Sequence, residues 1–326
     1  MATASRLQIR WAMFIDCRCG ARNSAFNPAC VACKAPIVED TRRKVDRSQT
    51  RSLATFVEGA IVGRFRLIQP LGQGNLGRVF LAQSEDGERV ALKALHPHLL
   101  SSEDGRTRFV REARALREVR HPAIGSLIDA LEHDGVPVLV LELVEGASLR
   151  HHLDQEGPMP SPVAVRVLIQ MTEALDALHR AGWVHRDVKP ENVMLVSSDP
   201  SEPVVRLLDF GLVRALAPSS AQDARTAAGV FVGSLAYSAP EQLLSGELGP
   251  AVDWWALGVV AYELLTGTRP FQGGTRREIA ARVLAATPPP MAGVPSDLEQ
   301  AVRALLAPDP KDRPSYEVIR RRWVEP

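Results

Sequence analysis

Lysine is scarce in this chain: of 39 Lys and Arg residues only five are lysine, at positions 34, 44, 93, 189 and 311. Where charge alone suffices the sequence uses arginine, so a lysine inside a motif carries information. Lys93 ends the run Val90-Ala91-Leu92-Lys93, in the middle of an apolar, strand-like segment. An unpaired charge there is costly, which asks for a partner and a ligand. Glu112 offers the partner, on a helix beginning near Asp104 whose inward face is formed by Phe109, Ala113 and Leu116. Upstream, Gly72-Gln73-Gly74-Asn75-Leu76-Gly77-Arg78-Val79 holds the spacing G-x-G-x-x-G. A dinucleotide-binding loop of that spacing opens a helix. Here Arg78–Gln83 alternates like a strand and leads into a second strand, Arg89–Leu95. A glycine loop between antiparallel strands can lie over a triphosphate, its backbone N–H groups approaching the oxygens. By itself the segment reads as a plain glycine-rich hairpin; Lys93 tips it toward phosphate chemistry.

A second group of reactive residues sits at the other end of the chain. All four cysteines, Cys17, Cys19, Cys30 and Cys33, fall within 17 residues, and no histidine precedes His96. Four thiolates in two closely spaced pairs can hold one tetrahedral Zn²⁺, and the wording around Gly20 resembles small bacterial zinc ribbons. The first pair departs from that pattern, with one intervening residue in place of two. A redox or iron–sulfur role and inert thiols are the alternatives. A module this small is a docking or a nucleic-acid element, and as a docking element it would recruit a regulatory protein. The basic residues that follow, Arg42, Arg43, Lys44, Arg47 and Arg51, leave nucleic acid open, but their first reading is a solvated linker, so nucleic acid is the less favoured partner.

The elements that must position these residues follow from pattern and punctuation. The chain has 326 residues, 45% apolar and 24% charged, and a net charge of +1. These are proportions of a soluble globular protein of two or three domains, without global attraction to nucleic acid or acidic membranes. No apolar run reaches the ~20 residues of a membrane span, and the N-terminus has no signal-peptide core; a cytoplasmic location is expected. From residue 61 short β-branched segments follow one another, with turn signals at Glu85-Asp86-Gly87 and Asp134-Gly135. One helix, about 104–118, interrupts them. Beyond 145 the pattern is helical, with Ser161 as an expected N-cap and Pro162 at the first helical position. Further helices are expected near 251–266, 275–285, 296–306 and 315–322.

His185-Arg186-Asp187-Val188-Lys189-Pro190-Glu191-Asn192 extends the pattern into a resemblance. With the glycine loop, the Val-Ala-Leu-Lys strand and Asp209-Phe210-Gly211, it resembles the protein kinase motif set in order. Ala239-Pro240-Glu241, Asp253-x-Trp255-x-x-Gly258 and Arg313 complete the series. Asp187-x-Lys189-Pro190-Glu191-Asn192 and Gly233-Ser234 resemble the serine/threonine branch, in its bacterial form. The implied fold is α+β: a two-lobed protein kinase fold, with a small β-rich lobe over 60–144 and a larger helical lobe over 145–326. A zinc-ribbon-like module over 1–40 and a basic linker over 41–59 precede it. The implied activity is transfer of the ATP γ-phosphoryl group to Ser or Thr hydroxyls of proteins, autophosphorylation included, with ATP and Mg²⁺ (or Mn²⁺). The alternative is a catalytically silent nucleotide-binding adaptor that recruits partners through its zinc ribbon.

The resemblance implies a role for each site residue. Asp187 orients the acceptor hydroxyl and takes its proton, and Lys189 reaches the γ-phosphoryl group. Asn192 and Asp209 ligate Mg²⁺. Lys93 holds the α- and β-phosphates and Glu112 holds Lys93. Gly72, Gly74 and Gly77 cover the phosphates; Val79, Ala91 and Met194 sandwich the adenine, whose edge meets the backbone near Glu142 and Val144. The activation segment runs from Asp209-Phe210-Gly211 to Glu241. Thr226 is the first-choice phosphoacceptor within it, ahead of Ser219 and Ser220, and Arg186 is the partner of the phosphate. Ser234 keeps a hydroxyl for Asp187 and Lys189, Leu212 implies a preference for Ser acceptors, and Glu241–Arg313 is a structural ion pair.

Overall fold

The computed structural model describes residues 14–16, 22–24, 56–74, 76–197, 199, 201–211, 213–215, 235–244, 246 and 248–324. The chain divides into two compact units, residues 1–114 with 126–143, and residues 115–125 with 144–326.

In the first unit, β1 (Phe14–Asp16) and β2 (Arg22–Ser24) pair antiparallel, Ile15 opposite Asn23. Cys17 and Cys19 fall between these strands; all four cysteines lie outside the described residues. A six-stranded antiparallel sheet follows. It is built from β3 (Ile61–Val62), β4 (Phe65–Gln73), β5 (Gly77–Ser84) and β6 (Arg89–Leu95), then β7 (Leu127–His133) and β8 (Val136–Glu142). The spatial order is β3-β4-β5-β6-β8-β7. The loop between β6 and β7 carries α1 (Pro97–Leu100) and α2 (Glu103–Glu118). Hairpin turns fall at the expected places for a local reason. Asp134 and Gly135, with φ of 50° and 80°, form a two-residue turn of the kind whose twist matches the flanking strands. At the other turn the Ser84 hydroxyl donates to the Asp86 carboxylate, and Gly87 takes φ 90°. Central strand β6 is buried from Val90 to Leu95, so its apolar run is continuous rather than alternating. Phe65, Leu67, Phe80, Leu92, Val138 and Val140 form the core with Phe109 and Ala113 of α2.

The second unit is mainly helical. After β9 (Ala147–Ser148) come α3 (Leu149–Glu156), α4 (Ser161–Arg180), β10 (Trp183–Val184), β11 (Val193–Leu195), β12 (Val205–Leu207) and β13 (Arg214–Ala215). Among the described residues the helices that follow are α5 (Pro240–Leu243), α6 (Ala251–Thr266), α7 (Arg276–Ala285), α8 (Ser296–Leu305) and α9 (Tyr316–Val324). Ser148 caps α3, its hydroxyl accepting from the His151 N–H. Ser161 does not cap α4. The helix starts one residue earlier than expected: Pro160 occupies the cap without a side-chain bond, and its carbonyl accepts from Val163 and Ala164. Helix α6 is buried at every position from Val252 to Leu265, which matches a sequence apolar on all faces. Strands β12, β11 and β9 form a small sheet, and β10 pairs with β13. The loop from His185 to Asn192 lies between β10 and β11.

Candidate active site

Among the described residues each unit buries a cluster of the polar residues that the motifs single out. In the first, Lys93 donates from Nζ to Glu112 Oε1 at 2.6 Å, and the two residues are 4% and 1% exposed. Strand β6 presents Lys93 and α2 presents Glu112 from the face that also buries Phe109 and Ala113. A desolvated pair of this geometry keeps a cation fixed where a free lysine would be too costly. Register places Val79 opposite Lys93 and Gly77 opposite Leu95. A Cβ on Gly77 would lie 2.1 Å from the Ala94 carbonyl oxygen, so strand packing alone demands glycine there. Gly72 has open space around it. Gly74 donates its N–H to the Gly77 carbonyl at 2.9 Å. Ala91 is buried in β6. At the end of β8 the Glu142 N–H is already given to the Ser126 carbonyl, while Val144 belongs to the second unit.

The second cluster centres on Asp187, 7% exposed. Lys189 Nζ donates to its Oδ2 at 2.7 Å. Asn192 Nδ2 donates to the Asp187 backbone carbonyl at 2.9 Å and to Oδ2 at 3.2 Å. Burial pushes the Asp187 carboxyl above its ordinary range, against the opposing charges of Lys189 and His185; Asp209 adds to the rise. Since both protons of the Asn192 amide face Asp187, its carbonyl oxygen is the atom left for a ligand. Asp209 follows β12 with φ 58°, a strained value for a residue with a side chain, and its Oδ1 accepts from the Gly211 N–H at 3.3 Å. Phe210 is fully buried, its ring edge-on to His185 at 4.9 Å. Met194 sits half-buried in β11, opposite Arg206 and Ser148. Asn192 and Asp209 are hard oxygen donors of the kind Mg²⁺ prefers, so their chemistry fits that ion. Among the described residues no group of three or more His, Cys, Asp and Glu is arranged to hold a metal.

Thr226, Ser219, Ser220, Ser234 and Leu212 lie outside the described residues. At the end of that segment Arg313 grips Glu241 with two parallel hydrogen bonds of 2.6 and 2.9 Å. The guanidinium also donates to the carbonyls of Ala251 and Ala307 and lies over the Trp255 ring at 5.1 Å. Both partners are buried.

A model of the protein kinase domain matches residues 65–324. The chain belongs to the protein kinase family. A serine/threonine-protein kinase of Myxococcus xanthus, Pkn1, is 38% identical over 260 residues, 78% of this chain and 37% of the relative. A second from the same organism, pkn2, is 40% identical over 230 residues, 70% of this chain and 27% of its own length. PknL of Mycobacterium tuberculosis is 39% identical over 263 residues, covering 79% of this chain and 64% of the relative. The chain thus spans between about a quarter and two thirds of the length of these curated relatives. Among the described residues no helix is long and apolar enough to cross a membrane.

The loop from His185 to Asn192 is held by two residues that the motif reading gave no site role: Asp253, which the motif series contains, and Arg150, which it does not. Asp253, fully buried in α6, accepts from the His185 N–H at 2.8 Å and the Arg186 N–H at 2.7 Å, and pairs with His179 Nε2 at 2.8 Å. Burial acts to raise this carboxyl, but the His179 hydrogen bond and charge, with His185 and the Arg186 amide, outweigh it and hold it low. The anchor is needed because Arg186 takes φ 69°, a left-handed conformation that costs a residue with a Cβ about 1–2 kcal/mol. Arg150 of α3 is a second hub. It donates to Tyr237 Oη at 2.7 Å, Glu263 Oε1 at 2.9 Å and Glu191 Oε1 at 3.3 Å. Tyr237 also donates to Glu263; burial and that carboxylate keep the phenol protonated well above its ordinary range. A signal for both anchors existed. Asp253 and Glu263 stand alone in an otherwise apolar run, where an ionised group must have a partner.

Proposed function

We propose that the protein is a serine/threonine protein kinase that transfers the ATP γ-phosphoryl group to protein hydroxyls. The observation that carries the reading is the Lys189–Asp187–Asn192 cluster. Lys189 and Asn192 both occupy Oδ2 of Asp187, which leaves Oδ1 for an acceptor hydroxyl. A carboxyl raised by burial is a better base than a solvated one. Phosphoryl transfer proceeds through a loose transition state, so the protein contributes position and countercharge rather than covalent chemistry. Asp187 orients the hydroxyl and takes its proton, and Lys189 places a compact cation beside the same carboxylate and the transferring group. Lys93, steadied by Glu112, binds the α- and β-phosphate oxygens under Gly72, Gly74 and Gly77. Val79, Ala91 and Met194 contact the adenine, whose edge meets the Glu142 carbonyl and the Val144 backbone. Asn192 Oδ1 and the Asp209 carboxylate would hold Mg²⁺ (or Mn²⁺), which neutralises phosphate charge when bound. Phosphate incorporation into a Ser/Thr-containing protein substrate, lost in Asp187→Asn, tests the assignment.

The remaining assignments belong to the same proposal. The kinase lobes span 60–144 and 145–326, after a basic linker over 41–59. The segment from Asp209-Phe210-Gly211 to Glu241 takes up phosphate on Thr226, where Arg186 pairs with it, and peptide mapping of the autophosphorylated protein reads the site. Cys17, Cys19, Cys30 and Cys33 hold one structural Zn²⁺ in a module over 1–40 that docks a regulatory protein. Their spacing supports this, as does the pairing of β1 with β2 on either side of the first two cysteines. Elemental analysis of the full chain should then give about one zinc, lost when Cys30 and Cys33 become Ser. Four thiolates of this kind suit a reducing cytoplasm.

A further inference from the structure

We infer that His96 is a positioning residue that fastens the glycine-rich loop and thereby sets its affinity for phosphate oxygens. The inference rests on the ATP-binding reading of Gly72, Gly74 and Gly77. His96 directly follows β6, three residues beyond Lys93, and is 7% exposed. Its Nε2 lies 2.9 Å from the Gly74 carbonyl oxygen. A carbonyl can only accept, so Nε2 carries the proton. The His96 backbone N–H donates to the Leu76 carbonyl at 2.8 Å. One residue therefore ties down two carbonyls of the same loop. The Leu76 side chain is buried beneath the loop, and Gly77 rests against the Ala94 backbone. The His98 ring stacks on the imidazole at 5.3 Å and 21°.

Orientation follows from peptide geometry. In a trans peptide the N–H points opposite to the C=O. The Leu76 carbonyl held toward the His96 amide thus fixes the Gly77 N–H toward the opposite face of the loop, where it can meet an anion. Without the imidazole the loop must order itself at the moment of nucleotide binding, at an entropic cost the fastened loop has already met. Nothing in the G-x-G-x-x-G spacing reports this, since the anchor follows a different strand, 22 residues from Gly74.

The test compares His96→Leu, which fills the volume without a donor, with His96→Gln, whose amide can reach the same carbonyl. Steady-state kinetics with ATP and hydrogen exchange of loop amides are both measured on the full chain, the exchange without nucleotide. Loss of one buried neutral hydrogen bond should raise KM for ATP about five-fold in His96→Leu, with kcat within about two-fold and loop exchange faster by about the same factor. His96→Gln should restore both. Wild-type KM and loop exchange in His96→Leu would overturn the inference, as would equal impairment in His96→Gln, which would make the effect one of packing. If the wild type turned over no ATP, the kinase reading would fall; exchange in His96→Leu would still decide whether His96 fastens the loop.

Discussion

Replacing Asp253 by Asn perturbs the loop from His185 to Asn192 without touching Asp187, the proposed base. The carboxylate takes three hydrogen bonds: Oδ2 from His185 N–H and His179 Nε2, Oδ1 from Arg186 N–H. An asparagine has one acceptor oxygen, and its NH₂ must face at least one of these donors. The less costly orientation keeps the oxygen on the two histidines and sets NH₂ against the Arg186 N–H. One charge-assisted bond is then lost, about 1.5–3 kcal/mol. Arg186 loses the contact that holds its left-handed backbone and is free to relax, a strain the wild type already carries. The net loss is therefore about 1.5–3 kcal/mol, or a Tm lower by roughly 3–12 °C. Because Arg186 precedes Asp187, kcat should fall about 100-fold, the order expected for a misplacement of about 1 Å, while KM for ATP, which the proposal assigns to Lys93 and the glycine loop, should change little. The stability difference also has a pH signature. A carboxyl held low in the folded state contributes stability above its unfolded pKa, about 3.9, and loses it as pH falls through the lower folded value. Wild type and variant should therefore differ fully at pH 7 and converge in acid below about 4. Calorimetry across pH with steady-state kinetics measures both; a Tm within 1 °C and a kcat within two-fold of wild type would refute the reasoning.

Three further outcomes follow from particular contacts. Gly77→Ala must push a methyl into the Ala94 carbonyl and should cost several kcal/mol or prevent folding, read as soluble yield and Tm. Arg150→Ala leaves Glu263 buried beside Tyr237 without its cation, for a loss of about 2–3 kcal/mol. Arg150→Lys should recover less than half, because one ammonium cannot span Tyr237, Glu263 and Glu191; chemical denaturation separates the two. Ala286 ends α7 with φ 48° and ψ 38°, a conformation glycine adopts freely, so Ala286→Gly should stabilise by about 1 kcal/mol and raise Tm by roughly 2–4 °C.

What the sequence made legible was local. The turn at Asp134-Gly135, the amphipathic stripe of α2 and the uniformly apolar α6 follow from spacing and turn chemistry, and the structure places them within a residue or two of expectation. Lys93 announced a partner because an ion inside an apolar strand cannot stand alone. Asp253 stood in the motif series, but what it holds did not show, and Arg150 stood in no motif, because the partners are distant in sequence: His179 lies 74 residues before Asp253, and Glu263 lies 113 after Arg150. Motif order marks positions but not which distant backbone and side-chain groups each one holds. Gly77 shows a related limit, since the spacing suggests phosphate contact where the packing of β5 on β6 already requires glycine. Ser161 missed its expected cap by one position, an ordinary margin for helix ends.

The most direct test of the central claim is intact mass after incubating phosphatase-treated protein with Mg·ATP and a Ser/Thr-rich protein substrate, wild type beside Asp187→Asn. Phosphate increments with wild type alone are expected. The variant should keep its fold, since its carboxamide oxygen can still accept from Lys189 and Asn192. Equal phosphate incorporation by both proteins would contradict the assignment of Asp187, and none by either, with ATP bound, would contradict the kinase itself.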